Sequence, residues 1–374
     1  MTALAQVARL STDGGQPVDR LVVHPRLPLA AGAAKGGRVV RIWGWDGEGL
    51  REVGSVELGP AAEWGAADQW RAGAVPPMAW HPERAVLVVA DAGSLAWWEP
   101  DGPPVRERVA ATYHHLAFSP DGHALWAKPA GEVSDGRDLG SGAVVRGPYW
   151  DTGVGVHPSG DLVATLVSDQ SATFCVFARP GTVMRQVRHA LVLVADGYDT
   201  PLFSADGRHL AVRGNAYADS LDVFAFPSLR RVLTRTLAED PSEAWPCDNL
   251  AWDAARSGVM WIGTSTGSLL ELDVETRETT EHPSPTGAPI SLLAAVADGE
   301  LLVADANGGL ALLALTRAAE VPAGSTGPAD DVAEFLAGTE ELPSAGELED
   351  LLVFADGNGA WESEERDSGG EAAP

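Results

Sequence analysis

Few residues in this sequence have the types and spacing that chemistry needs. Gly263 to Gly267 reads GTSTG and matches G-x-S-x-G, the pattern that presents a nucleophilic serine. That chemistry requires a sharp strand–turn–helix around Ser265. The following residues, SLLELDV, carry a strand pattern, so the sequence predicts a hairpin there and Ser265 receives no catalytic role. Tyr113-His114-His115 sets two imidazoles side by side. Neighbours on a strand point to opposite faces, so a two-histidine metal site is not expected. His24, His81 and His157 each precede a proline and read as recurring turn punctuation. Cys175 and Cys247 have no metal-ligand spacing and form no disulfide framework, which fits a reducing cytosol. Cys175, within TFCVFA, reads as a buried thiol; Cys247 has no cationic neighbours that would activate it. No catalytic residue, metal or cofactor is therefore assigned.

The totals narrow the partners. The 374 residues carry a net charge of −27, with Lys35 and Lys128 the only lysines. Such a surface repels nucleic acid and anionic membranes, and no local basic patch is evident to override it. No run approaches the roughly 18 apolar residues of a membrane span. The opening MTALAQVARL lacks the basic and long apolar regions of a signal peptide. The expectation is a cytoplasmic, soluble protein. The 42 glycines and 26 prolines imply many turns.

Those turns recur in register. Apolar runs break at His24, His81, Ser119, His157, Ser204, Asp253 and Val296, as in DRLVVHPRLPLAAG, PPMAWHPERAVLVVA and HHLAFSPDGHALWA. Most breaks lie 38 to 49 residues apart; the first spacing is longer, at 57. Pro presets φ and Gly accepts positive φ, so a tight turn joins two strands at each break. A second polar turn follows (DAGS, DQSA, STGS, ANGG), then a third alternating strand such as SLAWWEP or GLALLAL and a looser fourth. Seven four-stranded units of this period have the size of propeller blades.

On these residues the chain resembles the WD-repeat family. LAFSPDGHALWA matches the family's first-to-second strand signature, and RVVRIWGWDG (Arg38 to Gly47) resembles the third strand with its Trp-Asp ending. Most repeats lack the Trp-Asp pair, the preceding Gly-His pair is absent, and the third repeat has almost no apolar third strand. The family's buried His–Asp network is therefore not carried over. The resemblance implies an all-β, seven-bladed propeller over residues 1–317. The last repeat ends at GLALLALTR without a fourth strand, so the N-terminal ALAQVARLST is expected to supply it and close the ring.

A candidate binding face lies where each blade begins. Five residues before each break stand Asp19, Pro76, His114, Thr152, Asp199, Asp248 and Ser291, six of them polar just before a buried strand. The blade-to-blade connections on that rim hold Trp64, Trp70, Tyr149, Trp150, Tyr198 and Trp245. Loop aromatics are enriched at binding hot spots. The leading expectation is a non-catalytic scaffold or adaptor that takes a protein or peptide partner with basic groups on this rim, and neither nucleic acid nor membrane. The sequence leaves two alternatives open. One is a propeller enzyme of hydrolase or lactonase type at the channel mouth, with Asp19, Asp199 and Asp248 as its acids. The other is a subunit of a larger signalling or defence complex that docks through the tail.

That tail, residues 318–374, carries 15 Asp and Glu against one Arg. It reads as an acidic extension with two short amphipathic helical patterns. Val332, Phe335 and Leu336 have i, i+3, i+4 spacing; so do Leu348, Leu351 and Leu352 with Ala355, behind a capping-box signal at Ser344 and Glu347. Helices this short are marginal alone, so they are expected to order on docking. The final GNGAWESEERDSGGEAAP reads as disorder.

Overall fold

The computed structural model describes residues 3–12, 15–46, 49–59, 75–91, 93–169, 172–193, 197, 199–214, 219–238, 248–296, 299–316, 327–343 and 352–355. Strand β1 is Ala3–Ser11. Blade 1 comprises β2 (Arg20–Val23), β3 (Leu29–Ala33), β4 (Val39–Asp46) and β5 (Gly49–Glu57); blade 2 comprises β6 (Met78–Trp80), β7 (Leu87–Asp91), β8 (Ser94–Trp98) and β9 (Val105–Arg108). Blade 3 is β10 (Tyr113–Phe118), β11 (Ala124–Pro129), β12 (Asp135–Asp138) and β13 (Val144–Arg146); blade 4 is β14 (Gly155–Val156), β15 (Val163–Asp169), β16 (Ala172–Arg179) and β17 (Arg185–Leu193). Blade 5 is β18 (Leu202–Phe203), β19 (His209–Gly214), β20 (Asp219–Ala225) and β21 (Arg230–Ala238); blade 6 is β22 (Leu250–Trp252), β23 (Val259–Gly263), β24 (Leu269–Asp273) and β25 (Thr279–His282). Blade 7 is β26 (Ile290–Ala295), β27 (Leu301–Asp305) and β28 (Gly309–Thr316), completed by β1. This is the seven-bladed antiparallel propeller that the repeats predict.

One local bond explains why the seven breaks align. At His24, His81, Ser119, His157 and Ser204 the backbone N–H donates to the carbonyl five residues on, at 2.8–2.9 Å. Asp253 reaches Val259, and Val296 reaches Glu300. Each bond closes the turn between a blade's first two strands, so these turns share one face of the ring, the turn face. The blade-to-blade connections lie on the opposite connection face.

Ring closure follows the expectation. β1 pairs antiparallel with β28, from Ala3 opposite Thr316 to Ser11 opposite Gly309, with a bulge between Gln6 and Ala8. The last blade's edge is thereby paired to the first residues of the chain, and the closed ring leaves no sheet open at the seam.

The core is divided into seven apolar clusters, one between each pair of neighbouring blades. Tryptophans fill five of them: Trp43 between blades 7 and 1, Trp80 and Trp98 between 1 and 2, Trp126 and Trp150 between 3 and 4, Trp252 between 5 and 6, and Trp261 between 6 and 7. Fully burying a side chain of Leu or Phe size stabilises by about 1.5–3 kcal/mol, so each interface holds its neighbours firmly. The polar third strand of blade 3 has a steric reason. A Cβ on Gly136 would stand 2.1 Å from the Thr182 carbonyl oxygen and 2.5 Å from Val183 Cγ1. Blade 4 itself supplies the apolar filling there, through Met184, so β12 needs none.

The tail returns to the propeller. Helix α1 (Pro328–Ala337) buries Val332, Phe335 and Leu336 in the cluster between blades 4 and 5. The Phe335 ring packs on Phe177, His189 and Phe226 at centroid distances of 5.0, 5.4 and 5.1 Å. After α1, the Arg188 N–H donates to the Glu340 carbonyl, and the Leu342 N–H donates to the Gln186 carbonyl. Strand β29 (Leu352–Ala355) then runs parallel to β17, with Leu352 opposite His189. This corrects one expectation: the second amphipathic pattern is not helical at residues 352–355, because the free edge of β17 recruits them as a fifth strand. Leu348 and Leu351 lie outside the described residues.

Candidate functional site

The connection face gathers charge from blades distant in sequence. Arg20 is the first residue of β2, half-buried at the inner end of blade 1. Burial lowers its pKa, and the carboxylates of Asp248 and Asp199 oppose that shift. These acids stand where the chain enters blades 6 and 5. Asp248 is exposed and has a positive φ of 55°, and its carbonyl accepts the Leu293 N–H. The Asp199 N–H donates to the Arg213 carbonyl. Two carboxylates at the entries of two blades thus act on one guanidinium of a third.

A second polar group adjoins it from blade 3. The His115 ring packs against Trp150 in a tilted arrangement, with centroids 5.6 Å apart. Burial, with the cations of Arg20 and Lys128 and with His114 near, pushes its pKa down to about 3. Lys128 is almost fully buried; its Nζ donates to the Pro129 carbonyl at 2.8 Å and lies 4.1 Å from the Tyr149 ring centroid. The Tyr149 hydroxyl donates to Asp151 Oδ1 at 2.5 Å, and Asp151 Oδ2 accepts the Ser168 N–H. In blades 5 and 6, Arg213 is buried against Asp219 and donates to Asn249 Oδ1 at 2.9 Å.

The residues predicted from the blade-start column divide into two groups. The charges of Asp199 and Asp248 act on Arg20. Asp19 is exposed, and its Oδ2 accepts the Lys35 N–H at 2.6 Å. His114 and Thr152 are half-buried on the same rim. Ser291 turns inward, donating to the Ala304 carbonyl at 3.1 Å. Trp64, Trp70, Trp245 and Tyr198 lie outside the described residues. Trp150 is fully buried and Tyr113 nearly so, with the Tyr113 hydroxyl on Asp135, so these two aromatics cap the core instead of presenting a surface. Sequence reasoning missed Arg20, His115 and Asn249. All three stand one residue later in the same alignment, four before the break, and a search of that column would have found them.

The GTSTG stretch forms the hairpin between β23 and β24. Gly267 has φ +93°, and Thr264, Thr266 and Ser268 hydrogen-bond among themselves. Strand follows strand, so the backbone of a nucleophile elbow does not exist there. Among the described residues no group of three or more His, Cys, Asp or Glu could hold a metal. Among them, too, no helix is long and apolar enough to cross a membrane.

These features define a WD-repeat-like β-propeller, a fold commonly used for protein–protein interaction. Solved structures agree. The chain is similar to the β-propeller domain of Cps50 (Swd1) from Myceliophteria thermophila, at 13% identity and a TM-score of 0.61, over 84% of this chain and 100% of that one. No family model and no curated protein matches the sequence.

Proposed function

We propose that this protein is a non-catalytic scaffold that receives a protein or peptide partner on the connection face. The electrostatic coupling of Arg20 in blade 1 to Asp199 and Asp248 at the entries of blades 5 and 6, beside the exposed Asp19 and Asp248 carboxylates, carries this reading. Charge complementarity drawn from separate blades in this way orients and selects partners. Asp199 and Asp248 outnumber the one guanidinium there, and Asp19 adds a third acid, so the partner presents basic groups. The 57-residue first spacing places Trp64 and Trp70 in the longest connection, and they supply an apolar anchor. The rim offers recognition more than proton transfer. Arg20 does not exchange protons at neutral pH, and a histidine with a pKa near 3 is a poor base there. We place the protein in the cytoplasm, where the buried, unpaired Cys175 thiol stays reduced.

The test is affinity capture from the native host with the full chain and two double variants, Asp199→Asn with Asp248→Asn, and Trp64→Ala with Trp70→Ala. Both should lose the captured partner at least tenfold while keeping the wild-type melting temperature. Undiminished capture by both variants contradicts the reading.

A further inference from the structure

We propose that the outer edge of blade 4, with the groove it shares with blade 5, is a docking site for an acidic helix–strand segment of a partner protein, and that the chain's own residues 328–343 and 352–355 hold it closed in cis. Charge is the first ground. Within a chain of net charge −27, residues 170–195 contain Arg179, Arg185 and Arg188 and no Asp or Glu. Two of these arginines meet one tail carboxylate: Arg179 Nε and Arg185 Nη1 each lie 3.2 Å from Glu341 Oε1. This basic edge, missed in the sequence, selects an acidic segment.

Fit is the second ground. α1 leaves a cleft of about 470 Å³ beside it, lined by Asp161, Arg179, Pro180 and Arg185 on the blade and by Val332 and Leu336 on the helix, so two arginines outweigh one acid there. No basic residue stands in the last turn of α1, and no side chain caps its first. A segment with a side-chain N-cap would add a contact that the tail lacks. The third ground is the mode of attachment. Residues 340–342 pair with the first half of β17 and residues 352–355 with the second, so backbone bonds that any sequence can make cover the whole edge. The specific demands on a partner are few: apolar side chains at the Val332, Phe335 and Leu336 positions, a carboxylate five residues beyond the last of them, and an extended stretch.

The experiment uses the full chain with a protease site inserted in segment 317–326, between β28 and α1. The folded protein is cleaved and challenged with fluorescent peptides by anisotropy. A peptide of residues 327–356 should exchange into the cleaved protein with micromolar affinity and bind the uncut protein at least tenfold more weakly, because a tethered tail competes at high effective concentration. An unrelated peptide that keeps only the apolar positions and the carboxylate should compete within tenfold, and a scrambled peptide of equal charge should not. In the same protein carrying R179E and R185E, affinity should fall at least tenfold. Val332→Asp with Leu336→Asp in the uncut chain gives a second route to an open site and should admit the wild-type peptide. The proposal is overturned if the cut tail stays bound without exchange, if cleavage precipitates the propeller, or if the pattern peptide fails to compete. It is equally overturned if charge reversal has no effect, or if the uncut protein is a dimer with exchanged tails.

Discussion

The Nε2 of His157 in blade 4 lies 3.2 Å from the carbonyl oxygen of Gly207 in blade 5. Its Nδ1 accepts the Ser159 N–H, so the proton of the neutral ring sits on Nε2 and is donated across the blade interface. His24 does the same for blades 1 and 2. Its Nδ1 accepts the N–H groups of Arg26 and Leu27, and its Nε2 donates to the Arg84 carbonyl at 3.0 Å. The Arg84 N–H in turn donates to His81 Nδ1, and His81 reaches the Gly122 backbone of blade 3. The histidines that punctuate the repeats are clips between blades on the turn face.

Protonating such a ring leaves the Nε2–H bond across the interface intact, but it removes the Nδ1 acceptor that closes the turn and charges a buried side chain, which predicts a pH dependence. Burial lowers the pKa of His24, His81 and His157, and also that of His115, His189 and His209. A base whose folded pKa is depressed binds fewer protons folded than unfolded. The stability it contributes is therefore complete above the unfolded value of about 6.5 and is lost as pH falls below it. The melting temperature should hold between pH 8 and 7 and drop progressively from pH 6.5 to 5. Asp121 and Asp206, whose pKa values are also lowered, add their loss only below about 4. A melting temperature unchanged down to pH 5 would contradict the burial of these neutral rings.

Gly207 separates the clip from ordinary turn strain. Its φ is +75°, and a Cβ there would stand 2.4 Å from His157 Nε2. Gly131 has φ +63° with nothing within 4 Å of its Cβ position. Gly131→Ala should cost about 1 kcal/mol, the penalty of a left-handed backbone. Gly207→Ala should cost about 2–4 kcal/mol, because the ring must also leave its bond. Equal costs in chemical denaturation would mean that the imidazole is not held there.

Deleting residues 1–12 removes β1 and leaves β28 with an open edge, GLALLALT. An exposed apolar edge of that length templates aggregation. The shortened protein should aggregate or melt far below the parent. A soluble, cooperatively melting deletion variant would show that the seam does not need β1.

Residues such as these mark how far the sequence was legible. The seven breaks were readable because one backbone bond, spanning four to six residues, fixes each turn locally. Closure by β1 was readable because the last repeat lacks a strand. The clips were not, because His157 and Gly207 are 50 residues apart and nothing in either turn names its mate. On the rim, Asp199 and Asp248 were visible through their place in the repeat, whereas Arg20 fell one column away. In the tail, the spacing of Val332, Phe335 and Leu336 announced an amphipathic helix but not its seat on blade 4. Residues 352–355, LVFA, fit both a helical stripe and a strand, and pairing with β17 decides between them, as tertiary context often does for β-prone residues.

Site-specific photocrosslinking in the native host tests the connection-face assignment most directly. A photoreactive side chain replaces one exposed residue at a time, Asp19 or Asp248 on the connection face and Glu83 or Asp121 on the turn face. After illumination, crosslinked proteins are identified by mass spectrometry. The proposed scaffold predicts one recurrent partner joined at both Asp19 and Asp248 and absent at Glu83 and Asp121. Crosslinks confined to Glu83 and Asp121, with the Asp19 and Asp248 positions clean, would contradict it.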